Sequence, residues 1–121
     1  MIGTLEMVVI DCPDPRAMAR FYSELVGADI VGYEEDRAEI AMPGADRPLA
    51  AFQQVSDYSA PEWPSQSVPQ QMHLDVRIED FDVAEPAVLA IGATATGAGN
   101  EFYRVYLDPA GHPFCLIRPN D

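Results

Sequence analysis

MVVIDCPDPRAMARFYSELVGADIVG, from Met7 to Gly32, decides the fold, because HLDVRIEDFDVAEPAVLAIGATATG, from His73 to Gly97, repeats it. Met7 falls on His73 and Asp14 on Asp80 in one register. Gly27 then falls on Gly92 and Ala28 on Ala93, with one helical residue fewer in the second copy. Each copy reads as a strand, a capped helix, a glycine stop and a further strand. A long period that occurs twice is the mark of a duplicated module.

The first helix is well signalled. Asp14 is suited to the N-cap and Pro15 to the first helical position. Met18, Phe21, Tyr22 and Leu25 form the apolar stripe, and Gly27 stands at C′. The second helix runs from a cap at Asp80 or Asp82 through Val83, Ala87, Leu89 and Ala90 to Gly92, with Pro86 tolerable only in its first turn. Alternating and β-branched stretches then predict strands at 29–33, 38–42 and 49–55 in the first half, and at 93–96, 101–107 and 113–118 in the second. EEDR at 34–37 is a hairpin turn, and Asp108-Pro109-Ala110-Gly111 is another that leaves His112 at its exit. The class is α+β, with two βαβββ modules. Module one spans about 4–55, a proline-bearing connection 56–71, and module two about 72–119, all in a single domain of residues 1–121. Trp63 and Tyr58 give the connection side chains that can pack over a neighbouring surface.

Strand alternation separates two faces. Val8, Ile10 and Cys12 share one with Leu74, Val76 and Ile78 of the repeat, and this apolar face must meet the helices. Met7, Val9 and Asp11 share the other with His73, Asp75 and Arg77. A face of mixed polarity suits a ligand cavity better than a sealed core.

The composition limits the partners. Seven basic against twenty acidic side chains leave a net charge of −13, which repels nucleic acid and anionic membranes and leaves room for a cationic small molecule. No window has the length of apolar sequence that a membrane span needs, and MIGTLEMVVIDC lacks the features of an export signal, so a cytoplasmic location is the expectation. Cys12 and Cys115 form no CxxC motif and read as buried thiols.

VVIDCPDPRAMARFYSELVG, HLDVRIEDFD and YLDPAGHPFCLI, together with the WP…PQQMHLD stretch, resemble the glyoxalase/bleomycin-resistance/dioxygenase (vicinal oxygen chelate) superfamily, in its glyoxalase-like branch. The resemblance covers nearly the whole chain. It implies a curved mixed sheet around a central cavity, a homodimer, and in metal-dependent members a divalent ion such as zinc, nickel, manganese or iron. Carried over residue by residue, the ligand positions fall on Met7, Gln53, His73 and Cys115, the last standing where metal enzymes of the pattern DPxGNxxEL have glutamate. A thioether, a neutral amide and a thiol make a poor set for such ions, so the expectation is no metal, or one held by His73 with Gln53 and Cys115.

The favoured function is therefore small-molecule binding of the bleomycin-resistance type. His73, Met7, Phe52, Gln53, Trp63, Asp75, Tyr103 and Cys115 are the candidate contacts. The alternative is a metal-dependent lyase, isomerase or dioxygenase acting on a small metabolite, with His73 as the catalytic base; a module kept only for protein contacts is a third.

Overall fold

The computed structural model describes residues 1–119 and divides into two compact units, Met1–Tyr58 and the remainder from Ser59. In the first unit the order is β1 (Val8–Cys12), α1 (Pro15–Val26), β2 (Asp29–Tyr33), β3 (Arg37–Ala41) and β4 (Ala50–Gln54). The second repeats it as β5 (Leu74–Arg77), α2 (Phe81–Ala90), β6 (Thr94–Gly99), β7 (Tyr103–Leu107) and β8 (Pro113–Ile117). Each unit holds one four-stranded mixed sheet, ordered β1-β4-β3-β2 in the first and β5-β8-β7-β6 in the second. The first strand of each unit pairs in parallel with its last, and the other pairings are antiparallel. No helix among the described residues is long and apolar enough to cross a membrane.

α1 begins and ends where local chemistry requires. Asp14 is extended at φ −138°, and its carboxylate accepts from the Ala17 amide at 3.2 Å. Gly27 closes the helix in the left-handed region at φ 71°, a conformation that glycine adopts at little cost. Met18, Phe21 and Tyr22 are buried on the sheet face formed by Cys12, Ala38, Ile40 and Phe52. Tyr22 stacks on Phe52 with ring centroids 5.4 Å apart, and Phe21 meets Tyr22 edge-on at 5.0 Å.

α2 departs from the expected pattern. Asp80, rather than Asp82, is the cap, and Pro86 lies inside the helix, beyond its first turn. The buried positions are Phe81 and Val88, while Val83 and Leu89 face solvent. Phe81 and Val88 are two turns apart, and the half-buried Ala84 and Glu85 fill the stripe between them. Glu85 is stable there because Arg104 and the Tyr106 hydroxyl, on the helix side of β7, both donate to its carboxylate, the latter at 2.8 Å. These donors hold the Glu85 carboxyl below its ordinary range, while burial and the neighbouring carboxylate push the Tyr106 phenol up to about 12. The Arg104 guanidinium also lies over the Phe81 ring at 4.5 Å.

The strands match expectation to within about a residue, except around the β6–β7 hairpin. β6 runs on to Gly99, with a register shift between Ala95 and Gly99, and β7 starts at Tyr103 because Asn100 caps the turn by accepting from the amides of Phe102 and Tyr103. The last turn is as read. Gly111 donates to the Asp108 carbonyl at 2.9 Å, and the buried Asp108 carboxylate accepts from the amides of Ala110 and His112.

Candidate functional site

The register of the second sheet assembles a polar cluster on one face. β5 and β8 run parallel with Asp75 opposite Cys115, and β7 places Val105 opposite Cys115 and Tyr103 opposite Ile117. Alternation carries His73, two residues before Asp75, to the same face. Phe114, Leu116, Arg104 and Tyr106 therefore point to the helix side. The open face is walled by Tyr103, Val105 and Ile117, and the loop after Ser59 brings Trp63 and Gln70 over it. The result is a cleft of about 370 Å³. The Trp63–Pro64 peptide in this loop is cis.

His73 Nε2 lies 3.4 Å from Asp75 Oδ1, and the Cys115 thiol is hydrogen-bonded to Asp75. The donor atoms of these three side chains all lie within 4.8 Å of one another. Burial, then the Asp75 charge, then the hydrogen bond to Asp75 raise the Cys115 thiol from its ordinary 9.0 to about 11. At neutral pH it is a thiol, a weak donor to Asp75 and no nucleophile.

A divalent ion bonds nitrogen, oxygen and sulfur at roughly 2.0–2.3 Å, which requires donor atoms closer together than about 4 Å. The His73–Asp75 pair already meets that spacing, and Cys115 needs a movement on the order of an ångström. One imidazole, one carboxylate and one thiol suit a borderline ion such as zinc and not hard manganese. The chemistry of this donor set thus fits zinc, through Asp75 as well as His73 and Cys115.

In the first unit the other two ligand positions serve a different purpose. Arg37, from β3, donates through Nη1 to Gln53 Oε1 at 3.3 Å and through Nη2 to Met7 Sδ at 3.4 Å, while its Nε pairs with Glu39 at 3.2 Å. Gln53 Nε2 donates to the Asp36 carbonyl and carboxylate, both at 3.2 Å. Here a guanidinium occupies Met7 and Gln53 at once, and a metal ion would have to displace it against its charge. The expectation that Gln53 ligates a metal thus does not fit the structure. The register of β3 with β4, which sets Arg37 opposite Gln53, brings Arg37 and Glu39 to the face of Gln53.

Among the expected contacts, His73, Asp75, Trp63, Tyr103 and Cys115 come together in the cleft. Met7 and Gln53 meet on Arg37 in the first unit. Phe52 is a correction: it is 0% exposed and stacked on Tyr22 beneath α1, so it is a core residue. Neighbouring strand residues point to opposite faces, so Phe52 and Gln53 could not both have faced a ligand. Gln70 was missed, since its loop has no periodicity from which to read an orientation.

A family model described as a glyoxalase-like domain matches residues 7–117. No curated protein matches. Solved structures do. A glyoxalase/bleomycin resistance protein/dioxygenase family enzyme from Burkholderia phytofirmans PsJN is 19% identical with a TM-score of 0.71, over 96% of this chain and 98% of that one. TnmS3, an antibiotic binding protein from Streptomyces sp. CB03234, is 21% identical with a TM-score of 0.58, over 98% of each chain. A variant of the fosfomycin resistance protein FosX from Listeria monocytogenes, complexed with Mn(II) and a dihydroxypropylphosphonic acid, is 14% identical with a TM-score of 0.69, over 99% of this chain and 95% of that one. At these identities the likeness is one of fold, the glyoxalase/bleomycin resistance fold. With the repeated βαβββ order and a family match across both units, the chain belongs to the glyoxalase-like domain family.

Proposed function

We propose that this chain is a small-molecule-binding protein whose ligand occupies the cleft of the second unit. The observation that carries the reading is the cleft itself: about 370 Å³, with Trp63 and Tyr103 as aromatic walls over a polar floor of His73, Asp75 and Cys115. A mostly apolar concavity with a few convergent polar groups is the general form of a ligand site. TnmS3 is an antibiotic binding protein on this fold, which supports the class of function. The phosphonic acid of the FosX complex is a poor guide to the ligand, because this cleft presents the Asp75 carboxylate and has no lysine or arginine in its lining. Thermal unfolding against a chemically varied library tests the reading. A ligand at a hundred times its Kd should add about 2.7 kcal/mol of stability, and the gain should vanish in a Trp63→Ala, Tyr103→Ala double variant.

A second reading rests on the donor set. His73, Asp75 and Cys115 would hold a zinc ion, which when bound supplies a Lewis acid; His73 and Asp75 would then fix the geometry while the aromatic walls orient a substrate and limit water. The protein purified without added metal should be analysed for bound zinc and for manganese. About one equivalent of zinc, lost in His73→Ala, would favour a metal-dependent enzyme over a binding protein.

A further inference from the structure

We propose that the ligand of this cleft is an aromatic cation bearing N–H donors, of the arylamidinium or arylammonium class; the inference rests on the cleft being the binding site. The cleft asks for hydrogen-bond donors. Gln70 Oε1 is buried and accepts no hydrogen bond from any described residue, although the Gln70 side chain lines the cleft. Buried polar atoms in folded proteins are nearly always satisfied, so this oxygen marks where a donor arrives. Asp75 adds a second acceptor. Its carboxylate is half-exposed and offers more lone pairs than the His73 and Cys115 contacts use.

Charge and shape select further. Asp75 is the one acidic side chain in the lining, no lysine or arginine lines the cleft, and the His73 imidazole lies 3.4 Å from the Asp75 carboxylate. An anionic ligand would meet the carboxylate with no lysine or arginine in the lining to hold it, whereas a cation would pair with the half-exposed carboxylate and lie against the faces of Trp63 and Tyr103. The net charge of −13 adds a long-range field of the same sense, concentrating cations near the surface. Val105 and Ile117 leave the rest of the wall apolar, which suits a flat ring more than an extended polyamine.

The test uses the full chain and three molecules of one shape: naphthamidine, naphthamide and naphthoate, the cation, the neutral amide and the anion. Affinities come from calorimetry. Trp63 is the only tryptophan, so its single indole N–H resonance shows whether binding occurs at the cleft. Naphthamidine should bind roughly tenfold more tightly than naphthamide, with naphthoate weakest. Asp75→Asn should remove the advantage of the cation over the amide, and Gln70→Leu should weaken both donor-bearing molecules by a similar factor while leaving naphthoate unchanged. Circular dichroism of each variant establishes that it is folded. Equal binding of all three molecules, or a cation preference that survives Asp75→Asn, would overturn the inference and leave the cleft as a binding site. If none of them moves the Trp63 resonance at millimolar concentration, the reading of the cleft as a site falls with it.

Discussion

Raising the pH should deprotonate Cys115 only well above the range of an ordinary thiol, and this should be visible both in its reactivity and in the stability of the fold. Burial comes first among the causes, and the adjacent Asp75 adds charge repulsion and a hydrogen bond to the protonated form. A displacement from 9.0 to about 11 corresponds to at most ~2.7 kcal/mol at ~1.36 kcal/mol per pH unit. The side chain is only partly buried, so water screens the thiolate and ~1–2 kcal/mol is the magnitude to expect. The folded chain binds this proton more tightly than the unfolded one does. The contribution is therefore whole below about pH 9 and is lost as the pH rises through about 11. Two assays measure it. Alkylation by iodoacetamide, followed residue by residue in the mass spectrometer, should reach half its limiting rate at Cys115 near pH 11, while the fully buried Cys12 stays protected as long as the protein is folded. Urea unfolding of the wild type and of Cys115→Ala, compared from about pH 8 to pH 11, should show the wild type losing ~1–2 kcal/mol relative to the variant. Asp75→Asn should bring the alkylation midpoint down only part of the way, because burial remains. A wild-type midpoint near pH 8.5, or a stability difference that does not change with pH, would refute the reasoning.

Other substitutions test the packing. Phe52→Ala should cost about 3–5 kcal/mol in urea unfolding, since it empties the space beneath Tyr22, and a loss under 1 kcal/mol would contradict a core role. Arg37→Met and Gln53→Leu should each destabilise the protein modestly. In a double-mutant cycle they should couple by roughly 0.5–1.5 kcal/mol, because the one hydrogen bond between Arg37 Nη1 and Gln53 Oε1 is lost in either variant. Gly99→Ala should lower stability by roughly 2–4 kcal/mol, as Gly99 sits at φ 137° and an added Cβ would lie 2.3 Å from the Tyr103 carbonyl oxygen; thermal unfolding measures it, and a neutral result would mean that the β6–β7 bulge can rearrange.

What could be read before the structure follows from how far apart the deciding groups lie. α1 was legible at both ends because Asp14, Pro15 and Gly27 act on the backbone within a turn of themselves. The face of β5 that carries His73 and Asp75 was legible because alternation needs only the strand's own residues, whereas Cys115 joins them through the pairing of β5 with β8, which no single strand encodes. The extent of α2 was legible but its packed face was not, because that stripe includes the half-buried Glu85, and apolar periodicity does not detect a carboxylate held by Arg104 and Tyr106 on another element. The same limit hid the role of Arg37: it reads as the end of the EEDR turn, and its hold on Met7 and Gln53 depends on the pairing of β3 with β4. Gln70 lies furthest from inference. It enters the cleft along a loop with neither the period of a helix nor that of a strand, so only the folded path of the loop reveals its unpaired oxygen.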